Sequence, residues 1–114
     1  MSLVRVCALM AAAAVVAFGE SGAHAASAEK GKTAFVQHGC WQCHGFEGQG
    51  GSAGKTLAPD PMAFEAFSAI VRSSVSRMPP FETTILSDSD LADIYAYLQS
   101  IKTIDYKTIP LLNQ

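Results

Sequence analysis

Two cysteines and a histidine, Cys40-Trp41-Gln42-Cys43-His44, form a C-x-x-C-H segment, the pattern through which a haem is attached covalently. Two thiols three residues apart lie on neighbouring turns of a short helix. Each can add to one vinyl group of a porphyrin and form a thioether. The next residue, His44, is then held over the iron on one face of the ring. One imidazole nitrogen binds iron while the other donates the hydrogen bond that orients the ring. Other uses of the motif fit less well. A redox C-x-x-C belongs beside a βαβ pattern, and none follows here. A structural zinc site needs four ligands, and after residue 26 the chain adds only His38.

An iron held by histidine on one face needs a ligand on the other, and Met62, Met78 and His38 are the candidates. His38 lies two residues before Cys40, on the same side as His44. Met62 falls at the second position of a proline-started helix, where it reads as core filler. Met78 lies in Arg77-Met78-Pro79-Pro80-Phe81, where Pro79 pushes it towards extended backbone and two prolines stiffen the loop. Met78 is therefore the expected distal ligand and His44 the proximal one. Such a pair fills both axial positions and raises the reduction potential. The chemistry left is outer-sphere transfer of single electrons through the haem edge. Arg72, Arg77, Trp41 and Tyr106 are candidate contacts for the haem propionates.

The elements that must hold these residues read as all-α. Residues 1–25 have the pattern of an export leader: Arg5, an apolar run of 13 residues from Val6 to Phe18, and an Ala23-His24-Ala25 cleavage site. A membrane span needs about 20 apolar residues, so this run is too short for one. Cys7 lies near the start of that run and leaves with it. The remaining two cysteines are both in the haem motif, which suits attachment after export to an oxidising compartment, the bacterial periplasm.

From Ala26 the chain is one small domain, residues 26–102, with an irregular tail over 103–114. A domain of this size buries a limited apolar fraction unaided, and a covalent haem would act as its staple. Net charge is −2, without the basic stripe that nucleic acid demands.

The first helix is expected from Ala28 to His38, with Ser27 as N-cap, Gly39 at the left-handed C′ position, and Gly31, Ala34 and Phe35 facing inward. A Gly-rich loop over 45–59 would wrap the haem edge. The middle helix should start at Asp60 as N-cap with Pro61 next, its apolar face carrying Phe64, Phe67, Ile70 and Val71. The last helix follows the Ser87-x-x-Asp90 capping pattern, with Leu91, Ile94, Tyr95, Leu98 and Ile101 at helical spacing. Asp88, Asp90 and Asp93 read as stabilisers of its N-terminal turns. Ile109, Leu111 and Leu112 in the tail could pack on the body or on a partner.

From about Ala28 to Lys102 the chain resembles the class I, single-haem cytochromes c of bacterial periplasms. Gly31 and Phe35 look like the small-plus-aromatic pair of that family's first helix. Ile94 and Tyr97 resemble the pair it packs against, and Met78-Pro79-Pro80-Phe81 resembles the axial-methionine loop. The resemblance implies three to five short helices around one haem c with its iron, bound through Cys40 and Cys43 and ligated by His44 and Met78. It implies a periplasmic electron carrier rather than an enzyme. Its partners would be redox proteins: a dehydrogenase donor, with this chain as subunit or dedicated partner, and an oxidase or another cytochrome as acceptor. An alternative of another class is a haem sensor or peroxidase-like protein with a labile Met78 and Arg77 recruited to the open face.

One departure stands out. The family commonly has Gly-Pro-x-Leu, whose proline carbonyl accepts the hydrogen bond of the ligand histidine. Here Gly54-Lys55-Thr56-Leu57 puts Lys55 in its place. A weaker bond at that point would make His44 a poorer donor and nudge the potential upward.

Overall fold

The computed structural model describes residues 24–73, 77–104 and 106–112. The expected leader, residues 1–25, lies outside these but for His24 and Ala25. The described chain is helical, without strands: α1 (Ala28–Gln37), α2 (Trp41–His44), α3 (Phe64–Ser73) and α4 (Asp88–Ser100). The tail adds two single 3₁₀ turns, Tyr106–Thr108 and Pro110–Leu112.

Helix α1 begins where the Ser27 hydroxyl accepts the Lys30 amide at 3.3 Å, which satisfies one of the first-turn donors left free by the helix. It ends because Gly39 takes φ 75°, a left-handed conformation that glycine adopts without a Cβ penalty. Its buried face is Gly31, Ala34 and Phe35, as the sequence pattern requires. Helix α4 starts with the same device: the Ser87 hydroxyl accepts the Asp90 amide at 3.1 Å.

Helices α1 and α4 pack directly on each other. A Cβ on Gly31 would run into the Asp93 carbonyl, so glycine is what allows the two backbones to approach. The approach lets the Phe35 and Tyr97 rings meet at 5.7 Å, tilted by 60°, within the range of favourable aromatic pairs. The core is completed by Ala58, Phe67, Val71, Leu86, Leu91, Ile94 and Leu98, with Trp41, Met78 and Phe81 packed against it.

Helix α3 starts at Phe64, three residues after Pro61, the first helical position that the Asp60 cap signal suggests. Asp60 sits at φ 59°, so the chain turns there instead of entering a helix from extended backbone. The Met62 carbonyl is held by the Tyr95 hydroxyl of α4 at 2.9 Å. Met62 is consequently exposed, not core filler. Phe67 and Val71 are buried as expected, with Phe64 and Ile70 half-buried.

Asp93 has a larger part than that of a helix-end charge. Its buried carboxylate accepts the Ser27 amide at 2.7 Å and lies 3.0 Å from His24 Nε2, so it ties the start of α1 to the middle of α4. The Ser27 hydrogen bond, and secondarily His24, hold its acidity stronger than that of an ordinary carboxylate, against the opposing effect of burial.

Candidate haem site

The C-x-x-C-H segment is folded as one tight unit. The Cys40 amide donates to the Phe35 carbonyl at 3.1 Å, which locks the segment to the end of α1. Cys40 then precedes α2, and the Cys43 and His44 amides both donate to the Cys40 carbonyl, at 3.4 and 3.1 Å. The two cysteines and His44 are thus brought together on a single helical turn. Neither thiol is in a disulfide; Cys40 is half-buried and Cys43 exposed.

Burial pushes the Cys40 thiol up to about 11, its own backbone hydrogen bond offsetting part of the rise. A cysteine used in disulfide exchange needs the opposite, an acidity strengthened towards the thiolate. Among the described residues no group of three or more His, Cys, Asp or Glu side chains is arranged to hold a metal ion.

His44 is oriented from the 45–59 loop. Its Nδ1 lies 2.7 Å from the Lys55 carbonyl oxygen, so Nδ1 carries the proton and donates, and Nε2 keeps its lone pair for a ligand. This is the hydrogen bond that a family proline carbonyl would accept. The expected weakening is absent from the geometry, since 2.7 Å is at the short end of the range for such bonds. The loop is tied back onto the motif: the Gly50 amide donates to the His44 carbonyl at 2.7 Å, and the Leu57 and Ala58 amides converge on the Gly48 carbonyl at 2.7 and 3.0 Å. At Gly54 a Cβ would stand 2.7 Å from the Cys43 carbonyl oxygen and 2.9 Å from His44 Nδ1. Glycine there lets the loop reach the histidine at all.

Met78 is half-buried and packs against the core from the loop that follows α3. That loop is anchored at Phe81, whose amide donates to the Val71 carbonyl at 2.9 Å. Arg72 adds three bonds, to the Phe81 carbonyl (2.8 Å), the Leu86 carbonyl (2.7 Å) and the Asp88 carboxylate (2.6 Å). Three of its five guanidinium N–H donors are thus directed to the loop and to the start of α4. Arg77 is exposed. Trp41 stacks on Phe46 at 4.5 Å with the planes 10° apart. The Tyr106 side chain lies outside the described residues. His38 caps the end of α1.

Sequence reasoning missed Arg72 and Asp93 as the tethers of the site's frame. A signal existed for both. Arg72 follows the apolar stripe of α3, where a cation suits the last turn. Asp93 lies within the apolar stripe of α4, where an unpartnered charge would be costly.

The residues present fit a haem c. They supply two cysteines on one helical turn, a histidine with its tautomer set, a glycine that lets the 45–59 loop close on it, and an apolar core that Cys40 and Met78 pack against. An all-helical frame carrying C-x-x-C-H in this setting defines a c-type cytochrome domain. Residues 26–98 match the family described as cytochrome C oxidase, cbb3-type, subunit III. That match covers well over half of the chain, and the chain belongs to this family. Comparison with curated proteins and with solved structures gives no match. A cytochrome c domain carries haem c with its iron and serves electron transfer, with redox proteins as partners; it is an electron carrier and not in general an enzyme. Among the described residues no helix is long and apolar enough to cross a membrane.

Proposed function

We propose that this chain is a periplasmic electron carrier with one covalent haem c, joined through Cys40 and Cys43 and ligated by His44 and Met78. It passes single electrons between protein partners, as subunit or dedicated partner of a periplasmic dehydrogenase on the donor side and towards an oxidase or another cytochrome on the acceptor side. The observation that carries the reading is the 2.7 Å contact between His44 Nδ1 and the Lys55 carbonyl. It frees Nε2 as an axial donor at the residue directly after two cysteines.

The bound haem supplies a reversible ferrous–ferric couple. The protein's part is to hold ligands whose geometry need not change with oxidation state. His44 is fixed by Lys55, and Met78 sits in a proline-stiffened, anchored loop. Were His44 and Met78 to hold the iron from its two faces, no position would remain for oxygen or peroxide, and electron transfer rather than sensing or peroxidase chemistry would be the outcome. The export-leader pattern of residues 1–25 and the restriction of the remaining cysteines to the motif support the periplasm.

The optical spectrum of the oxidised, haem-loaded protein tests the ligand set. A weak red-edge band of sulfur bound to ferric iron is expected, and it should vanish in Met78→Ala but persist in Met62→Ala. A high-spin spectrum, with rapid carbon monoxide binding to the reduced protein, would overturn the reading.

A further inference from the structure

Arg72 is a charged side chain that joins α3, the methionine loop and the start of α4. One of its guanidinium nitrogens donates to two backbone carbonyls, Phe81 at 2.8 Å and Leu86 at 2.7 Å. These are the two ends of the segment that leads from the Met78-Pro79-Pro80 stretch to the Ser87 cap of α4. The other nitrogen donates to Asp88 at 2.6 Å. The Phe81 amide meanwhile donates to the Val71 carbonyl at 2.9 Å. Both peptide groups of Phe81 are therefore held by consecutive residues of α3, three residues beyond Met78.

A thioether is a neutral, soft donor, and its hold on iron depends on how rarely its loop swings away. A loop fixed only by prolines still pivots at its ends. Hydrogen bonds from a charged donor to two carbonyls are among the stronger fixings available, while the exposed Asp88 partner adds little by itself.

We propose that Arg72 is a positioning residue for the axial methionine, holding Met78 in place through the Phe81 and Leu86 carbonyls. The proposal rests on Met78 being the ligand. Arg72 acts on the fraction of time that the sixth position is open. An added ligand that competes with Met78 sees its apparent affinity reduced by the fraction of molecules that are open.

The test is titration of the oxidised, haem-loaded protein with imidazole, read optically, beside the red-edge band. Arg72→Ala is expected to bind imidazole roughly tenfold more tightly than wild type, because losing charge-assisted bonds raises the open population. Arg72→Lys, which keeps the charge but lacks the planar fork, should fall between the two. Asp88→Ala should stay within about twofold of wild type, since its pair is exposed. A merely structural role would lower the unfolding midpoint of Arg72→Ala and leave the imidazole affinity of the folded protein unchanged. That result, with the band intact, would overturn the proposal. Should Arg72→Ala not fold, Arg72→Lys and Arg72→Gln decide by the same criterion. A folded wild type without the red-edge band would overturn the Met78 reading itself, and the role of Arg72 with it.

Discussion

Gly31 of α1 lies directly against the backbone carbonyl of Asp93 in α4, with no room between them for a side chain. The obstructing atoms belong to the α4 backbone, so they cannot rotate away. Gly31→Ala gains about 1 kcal/mol of helix propensity. It also forces two helices apart and loosens the Phe35–Tyr97 contact, at a cost of about 1–3 kcal/mol or more. Strain should win. Guanidinium unfolding of the haem-loaded variant is expected to show a lower midpoint than wild type.

The same crossing carries a pH dependence. Asp93 is held more acidic than the usual carboxylate, first by the Ser27 amide and then by His24. A depressed folded value means that the carboxylate stabilises the fold at pH values above its unfolded range. That contribution is lost as pH falls through the folded value, so the window lies below about pH 4. Asp93→Asn should therefore be less stable than wild type at pH 7, and the gap should close on acidification. Because the Ser27 bond is the larger cause, the trend should hold in a chain processed at Ala25. Unfolding midpoints at pH 7 and pH 3 for both proteins check this.

What the sequence displayed, and what it hid, divides along a physical line. Local signals were legible: Ser27 and Ser87 as caps, Gly39 as the stop of α1, and the inward stripes of α1 and α4 depend on near neighbours in the chain. The C-x-x-C-H motif was legible for the same reason, its geometry being contained in one turn. The start of α3 was misread because Asp60-Pro61 is a good local signal that the left-handed turn at Asp60 and the Tyr95–Met62 bond override. Arg72 and Asp93 carried local signals, but their partners were hidden because they lie across the fold. Asp93 pairs with Ser27 and Arg72 with Phe81, Leu86 and Asp88. A charge on an apolar stripe calls for a partner, but which partner is fixed only when the other elements are placed.

Lys55 in place of the family proline is a change of side chain at a position used for its carbonyl. The bond to His44 is 2.7 Å long and the Lys55 residue itself is exposed. The basicity of His44 follows from that carbonyl. Lys55→Pro is therefore expected to leave the reduction potential within about 30 mV of wild type, about half of the 59 mV that a tenfold change in a one-electron equilibrium represents. A larger shift in a voltammetric titration would mean that the lysine charge acts on the haem directly.

Gly54 tests the same bond from the other side. A Cβ there would press on the Cys43 carbonyl oxygen at 2.7 Å and on His44 Nδ1 at 2.9 Å. Neither atom can move without disturbing the motif, so the loop must retreat and carry the neighbouring Lys55 carbonyl with it. Gly54→Ala should lengthen the His44 hydrogen bond, make the imidazole a poorer donor, and raise the potential by tens of millivolts, on the order of half a decade in the equilibrium. Gly51→Ala is the control, because a Cβ there meets the Cys43 carbonyl only at 3.9 Å, an ordinary contact. Voltammetry of the two haem-loaded variants should separate them, Gly54→Ala shifting upward and Gly51→Ala staying at the wild-type value. Equal potentials would show that the Lys55 bond does not set the donor strength of His44.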